Sequence, residues 1–309
     1  MSSKKYDKLI RKGLEAFDDN NIDEALMYYE QAFEIGYRMQ DILRVFYTYM
    51  NLERYVKAEA VLNKAIECHD DDLIMIAYGH LYKETNRVDL AIEAFNKIKD
   101  TDTHTQVLCD LGSLYLIKAE NNNEDFNGKN MQQAVLYYEK FLKVEHDDFW
   151  GHIDVGTIYE HFNHDKDALK HFLAAYEIDS DNTLVCYDLG VAYEKLGDHN
   201  KSLHYYLEAI NKEDAYEYAY FNLGVLYKDI FHDYEKAKQY YLMGLDKYPD
   251  NYSIWYNLGC IHALLKDYEN AYQCFKYLYY KKKEYLDMID QDTELQDFIK
   301  SDYYQNLKS

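Results

Sequence analysis

Hydrophobic residues recur along the chain at the spacing of an amphipathic α-helix. In "YFNLGVLY", residues 220–227, Tyr220, Leu223, Gly224 and Tyr227 stand at i, i+3, i+4 and i+7, which is one face of a helix. Segments such as "AKQYYLMG", which begins at residue 237, carry a small residue, an aromatic four positions later and a small or apolar residue three after that. The pattern predicts pairs of amphipathic helices, A and B, joined by short polar turns, in which Asp198 and Asp267 are natural N-caps for helix B.

A glycine marks the same place in nearly every predicted pair. Four of these glycines, at successive spacings of 34, 34 and 35 residues, are Gly156, Gly190, Gly224 and Gly259. Spacings of 33 residues connect Gly112, Gly79, Phe46 and Gly13, and one longer gap of 44 residues precedes Gly156. A glycine inside a helix costs about 1 kcal/mol relative to alanine. We therefore expect a packing reason, namely that the missing side chain lets the two helices of a pair approach closely.

Two stretches carry the fullest version of the pattern. Residues 252–285 contain Trp255, Leu258, Gly259, Ala271 and Phe275. Residues 217–251 contain Tyr220, Leu223, Gly224, Tyr227, Ala237, Tyr241, Gly244 and Pro249. The chain thus resembles the tetratricopeptide repeat (TPR) family, in which an aromatic, Leu-Gly and Tyr in helix A precede Ala, Phe, Ala and Pro in helix B. The resemblance implies an all-α fold, a right-handed α-solenoid of stacked helix-turn-helix units.

The register divides the chain into eight units. They begin near residues 6, 39, 72, 105, 149, 183, 217 and 252, so the predicted solenoid spans 1–285. The fourth unit carries an insertion, "ENNNEDFNGKN" at 120–130, which is either a tolerated surface loop or a contact for a partner. Residues 286–309 are expected to form capping helices, because the end of a solenoid needs a polar outer face.

The resemblance also implies where a ligand would bind, since helix A lines the concave face in this family. The fifth position of each unit would supply Tyr187, Phe221 and Tyr256. The sixth would supply Asp110, Asp154, Asp188, Asn222 and Asn257, and the twelfth Glu194. In peptide-binding members an asparagine at the sixth position often holds the main chain of the ligand, which Asn222 and Asn257 match. The alternative is that these polar residues only keep the surface soluble.

Charge narrows the choice of partner. The formal net charge is −22, which disfavours nucleic acid, because phosphate binding draws its affinity from cationic contacts. The carboxylate-clamp version of the family needs lysine and arginine in the groove, whereas the middle of this groove is mostly acidic. We therefore expect a basic or neutral segment of a protein or peptide as partner.

The sequence offers little for other functions. It has no apolar run of membrane-spanning length and its start lacks the features of a signal peptide, so we expect a cytoplasmic protein with no membrane partner. No nucleophile motif, P-loop or dinucleotide fingerprint appears, and we predict no enzyme and no cofactor. The best metal candidate, which is His161, His164 and His171, is not expected to converge on one point.

The sequence thus predicts a non-catalytic scaffold or adaptor that binds a partner segment in its concave groove. Two alternatives stay open. A signal-peptide-sensing regulatory module would use the same groove, and a self-assembling structural protein would associate through the solenoid ends.

Overall fold

A computed structural model describes residues 2–308, and all regular structure within that range is helical. The chain divides into two compact units between His146 and Asp147. The N-terminal unit contains α1 (Ser2–Asp18), α2 (Ile22–Phe33), α3 (Met39–Asn51), α4 (Tyr55–Ile66), α5 (Asp72–Glu84), α6 (Val88–Asn96), a 3₁₀ turn (Thr101–Thr103), α7 (Thr105–Asn121) and α8 (Lys129–Val144).

The C-terminal unit contains α9 (Phe149–His161), α10 (Asp165–Ile178), α11 (Thr183–Lys195), α12 (His199–Ile210), α13 (Glu217–Val225), a π-helical turn (Leu226–Ile230), α14 (Tyr234–Lys247), α15 (Tyr252–Leu264) and α16 (Tyr268–Lys281). Shorter elements follow, namely α17 (Tyr285–Gln291), a 3₁₀ turn (Thr293–Leu295), α18 (Gln296–Ile299) and α19 (Asp302–Lys308). Within each unit, each of the long helices packs against the next one along the chain. The predicted all-α solenoid of stacked helix pairs is confirmed.

The recurring glycine of helix A faces the aromatic residue of helix B. A Cβ atom added to Gly190 would overlap the ring of Tyr206, and one added to Gly224 would overlap the ring of Tyr241. The same relation joins Gly13 to Tyr29, Gly79 to Phe95, Gly112 to Tyr138, Gly156 to Phe172 and Gly259 to Phe275. The glycine therefore makes room for a buried ring, which gives the packing reason that the sequence required.

The second helix pair reverses this arrangement. Phe46 of α3 stands where the other pairs have glycine, and it is fully buried. Leu62 of α4 holds the place of the helix B aromatic and is also fully buried. The large ring thus comes from helix A in this pair, and a smaller side chain of the same buried cluster stands at the helix B position.

The turns between helices A and B follow one design. The residue before the N-cap of helix B has a positive φ in pairs one to three and five to eight, as in Lys266 (φ 62°) and Gly197 (φ 79°). The N-cap follows, and the side chains of Asp198 and Asp267 accept hydrogen bonds from the backbone N–H groups of Lys201 and Asn270. The predicted caps are confirmed.

The insertion in the fourth pair is partly helical. It lengthens α7 to Asn121 and leaves residues 122–128 as the connection to α8. Glu124 anchors this connection, because its Oε2 accepts a hydrogen bond of 2.7 Å from the backbone N–H of Asn130 in the first turn of α8.

The seventh pair contains one extra residue. Gly224 and Tyr241 are 17 positions apart, whereas Gly190 and Tyr206 are 16 apart. The π-helical turn Leu226–Ile230 lies between them and absorbs the additional residue without moving the glycine away from its ring.

The chain folds back at its C-terminal end. Ile289, Leu295, Phe298, Tyr304 and Leu307 are buried in one cluster with Phe275 and Leu278 of α16. The apolar side chains after residue 285 therefore cover the last helix pair.

Candidate functional site

Asp110, the predicted site residue of the N-terminal unit, is buried in an ion-pair cluster. Its carboxylate accepts hydrogen bonds from Lys83 Nζ and lies 3.4 Å from His80 Nε2. Burial alone would raise the pKa of Asp110, but the bonds from His80 and Lys83 outweigh it and lower that pKa. The carboxylate of Asp110 is thus neutralised from within its own unit.

The remaining predicted residues lie on the A helices of the C-terminal unit. Asp154 on α9 is exposed, whereas Asp188 at the equivalent place on α11 is buried. Asn222 on α13 and Asn257 on α15 are half-buried. One repeat position therefore holds side chains in different environments, because the neighbouring side chains differ from pair to pair.

Asn222 and Glu194 are held by the same hydroxyl group. The Tyr206 hydroxyl donates a hydrogen bond of 2.7 Å to Glu194 Oε2 and accepts one of 3.1 Å from Asn222 Nδ2. The ring of Tyr206 fills the space that Gly190 leaves open. The fold-determining glycine is thus connected, through one tyrosine, to two predicted site residues.

Three tyrosines gather beside Asp188. The ring centroid of Tyr187 lies 5.0 Å from that of Tyr216 and 6.5 Å from that of Tyr218. Burial raises the pKa of Tyr187 to about 12. Tyr216 and Tyr218 were not among the predicted site residues, although Tyr218 stands at the second position of its unit, which the family resemblance places in the groove.

The Asp188 carboxylate is an unusual acid. Burial, followed by the charge of Glu160, raises its pKa to about 7. Glu160 itself is paired with Lys195, whose Nζ lies 2.8 Å from Glu160 Oε1.

A cavity opens at the last two helix pairs. Its volume is about 410 Å³, and Phe221, Tyr256 and Asn257, all predicted site residues, are part of its lining. Ser253 and residues of the segment after α16 complete it, namely Lys282, Glu284, Tyr285 and Met288. The structure therefore brings three of the predicted residues to one opening.

The C-terminal segment also contacts the A helices directly. The Tyr256 hydroxyl donates a hydrogen bond of 2.9 Å to Asp292 Oδ2. Lys228 Nζ, in the π-helical turn, lies 2.6 Å from Glu294 Oε2. These contacts join residues 36 and 66 positions apart, and no local sequence pattern signals them.

Two of the candidate metal ligands, His161 and His171, contact different neighbouring rings. His171 Nδ1 lies 3.0 Å from His152 Nδ1, and the ring of His161 packs at right angles against Phe162. Among residues 2–308, no three histidine, cysteine or acidic side chains are arranged to hold a metal ion. No helix in the same range is long and apolar enough to span a membrane.

Comparisons with known proteins point in one direction. A tetratricopeptide repeat family model matches residues 74–102, 184–211 and 252–276, and a second such model matches residues 218–251. No curated protein matches the sequence.

Solved structures show the same fold. The C-terminal part of a TPR repeat-containing protein from Cytophaga hutchinsonii superposes with a TM-score of 0.66 at 15% identity, over 84% of this chain and 99% of that chain. YrrB, described as a TPR protein with an unusual peptide-binding site, gives 0.52 at 20% identity, over 62% and 95%. MamA gives 0.50 at 19% identity, over 58% and 92%. At these identities the likeness concerns the fold alone.

Proposed function

We propose, from the premise that this chain is a tetratricopeptide repeat protein, that it is a non-catalytic scaffold which holds an extended segment of a partner protein. Protein interaction is the general role that the repeats support. The finer proposal is that the A helices of the C-terminal unit form the binding surface, with Tyr187, Phe221 and Tyr256 as apolar contacts and Asn222 and Asn257 as polar contacts.

One observation carries this proposal, namely that Phe221, Tyr256 and Asn257 line a single cavity of about 410 Å³. Apolar walls with a few polar groups are typical of ligand sites, because the walls supply burial and the polar groups fix orientation. An aromatic residue of a bound segment would lie against Phe221 and Tyr256, while the Asn257 side chain would reach its main chain.

Charge favours a basic or neutral segment. Asp154, Asp188 and Glu194 stand on the same row of helices, and the whole chain has a net charge of −22. Complementary charge speeds association and suppresses partners of the wrong sign. An acidic peptide or a nucleic acid would be repelled.

The test is binding of a randomised, fluorescently labelled peptide library to the full chain. Phe221→Ala should weaken binding of the captured peptides about tenfold, which corresponds to roughly 1.4 kcal/mol of lost apolar contact. Leu242→Ala is the matched control, because Leu242 is an exposed apolar side chain on helix B of the seventh pair. Equal affinities for wild type and Phe221→Ala would show that peptides bind elsewhere.

A further inference from the structure

Asp188 and three tyrosines form a cluster with no assigned role. Tyr187 and Asp188 come from α11, Tyr216 directly precedes α13, and Tyr218 lies in its first turn. We call these four residues the tyrosine–aspartate site. It lies on the same row of A helices as the proposed groove, so its use by a partner rests on the function proposed above.

Among residues 2–308, no hydrogen bond or ion pair involves the Asp188 side chain. Only 8% of the residue is exposed, and its carboxylate oxygens are not among the fully enclosed atoms that lack a hydrogen bond. Two lysines of this region form ion pairs with other acids. Lys195 Nζ lies 2.8 Å from Glu160 Oε1, and Lys212 Nζ lies 3.1 Å from Asp181 Oδ1. Buried carboxylates are normally paired or hydrogen-bonded, because desolvating an unpaired charge is costly.

The three tyrosine rings lie close together without stacking on one another. Tyr187 and Tyr216 stand at 78°, Tyr216 and Tyr218 at 60° with centroids 5.2 Å apart, and Tyr187 and Tyr218 at 48°. Burial and then the charges of Tyr218, Asp188 and Glu217 raise the pKa of Tyr216, so the Asp188 carboxyl acts on this tyrosine electrostatically.

Two of the rings are open to an incoming group. Tyr216 is 38% exposed and Tyr218 is 47% exposed, so both rings are accessible from solvent. Tyr216 also lines a cavity of about 820 Å³ whose wall includes Asp179, Asp181, Lys212, Glu213 and Asp214. Asp188 and the rings of Tyr187 and Tyr218 do not belong to that wall, so the cavity borders the tyrosine–aspartate site only through Tyr216.

We propose that the tyrosine–aspartate site receives one cationic side chain of the bound partner segment, the ammonium group of a lysine or the guanidinium group of an arginine. The cation pairs with the Asp188 carboxylate and lies against the tyrosine rings. Aromatic rings set at steep angles attract cations through their negative faces, and desolvation strengthens that attraction. A neutral side chain of the same length would leave the buried acid unpaired.

The charged and titratable groups that face this site are few. They are Glu160 from α9, Tyr187 from α11, and Tyr216, Glu217 and Tyr218 at the start of α13. The Asp188 carboxyl, whose pKa burial raises to about 7, must ionise to pair with a cation. The preference for lysine and arginine over neutral side chains is therefore expected to increase from about pH 5 to about pH 8, because a cation pairs with the ionised form of Asp188.

The test uses the full chain and pools of fluorescent peptides that are random except for a fixed central lysine, arginine, norleucine or glutamate. We expect the lysine and arginine pools to bind wild type about tenfold more tightly than the norleucine pool. Asp188→Asn should lower the affinities of the lysine and arginine pools to that of the norleucine pool. Asp246→Asn, which removes one exposed acid from helix B of the seventh pair, should preserve the preference.

A second pair of variants examines the rings. Tyr218→Leu should lower the preference for the cationic pools, and Tyr218→Phe should retain it, since phenylalanine keeps the aromatic face. Tyr218 is exposed enough that neither change threatens folding.

The outcomes separate the two proposals. Equal binding of all pools, or a cation preference that survives Asp188→Asn, would overturn the tyrosine–aspartate site and leave the groove standing. N-acetyl-lysine amide, tested beside its norleucine analogue, provides the second arm, because a ligand of the folded state raises the temperature of unfolding. A shift with the lysine amide that Asp188→Asn abolishes, without binding of any pool, would support the site and reject the groove. If neither the peptide pools nor N-acetyl-lysine amide bound, both the tyrosine–aspartate site and the groove would be rejected.

Discussion

At the residue scale, Asp188 shows how one repeat position can acquire a special environment. The equivalent Asp154 is exposed, while Asp188 is buried beside Glu160 and three tyrosines. The burial raises the free energy of its ionised form, so the residue weakens the fold at neutral pH. The cation proposed to bind at this site would lower the free-energy cost of the ionised Asp188 carboxylate.

Stability should depend on pH through Asp188. Its pKa is about 7 when folded, against about 3.9 in an unfolded chain. The folded state therefore holds a proton that the unfolded state has lost, and the stability from this group disappears as pH rises between these values. Asp188→Asn should gain stability relative to wild type on going from about pH 5 to about pH 8, measured by urea unfolding. A difference that is the same at both pH values would contradict the assignment.

The recurring glycine gives a second residue-scale prediction. Gly190→Leu should destabilise the fold by about 1–3 kcal/mol, because the new side chain would enter space held by the buried Tyr206 ring. Gly36→Leu is the control, since no atom lies within 4 Å of a Cβ at that position. Urea unfolding compares the two variants. A midpoint urea concentration for Gly190→Leu equal to that of wild type would refute the packing role of Gly190.

At the element scale, the helix B aromatic does more than fill space in some pairs. The Tyr206 hydroxyl bonds to Glu194 and Asn222, whereas the equivalent Tyr241 hydroxyl is buried without a hydrogen bond to residues 2–308. The hydroxyl of the same residue type in the same helix position therefore bonds to two predicted site residues in the sixth pair and to none in the seventh.

Removal of these two hydroxyls should have different effects. Tyr206→Phe should destabilise the protein by about 1–3 kcal/mol, since it leaves the two partly buried partners of that hydroxyl unsatisfied. Tyr241→Phe should leave stability unchanged or raise it, because the lost hydroxyl has no such partner. Urea unfolding of both variants distinguishes them, and equal losses would show that the Tyr206 hydrogen bonds contribute nothing.

The helices were predictable from the sequence to different degrees. The glycine register located the helix pairs, and the N-caps Asp198 and Asp267 were correct because both signals are local. The spacing of 35 residues from Gly224 to Gly259 includes one extra residue, but nothing local in the sequence marks the π-helical turn that absorbs it. The burial of Asp188 was not predicted, because the repeat pattern places this residue outside the core positions of helix A.

At the scale of the whole molecule, the segment after α16 packs against the last helix pair. We propose that residues 286–309 cap the last helix pair. The side chains of Ile289, Phe298 and Tyr304 are buried against α16, while Asp292 and Glu294 bond to Tyr256 and Lys228 on the A-helix face. The proposed cap thus covers the end of the core and borders the cavity of the proposed groove.

Weakening of the cap should be costly. Phe298→Ala should destabilise the protein by about 3–5 kcal/mol, because it removes a buried ring and leaves a cavity. Tyr280→Ala is the control, as Tyr280 is 76% exposed and such surface changes stay within about 0.5 kcal/mol. Thermal unfolding compares the two, and a Phe298→Ala variant as stable as the control would show that the segment is not a cap.

We propose that the A helices of the C-terminal unit hold a partner segment, and crosslinking tests this proposal. A photoreactive phenylalanine analogue would replace Phe221, or Leu242 on helix B, in the full chain within its native cell. We expect adducts at position 221 that map to an extended segment containing lysine or arginine, and none at position 242. Adducts confined to position 242, or equal at both positions, would contradict it.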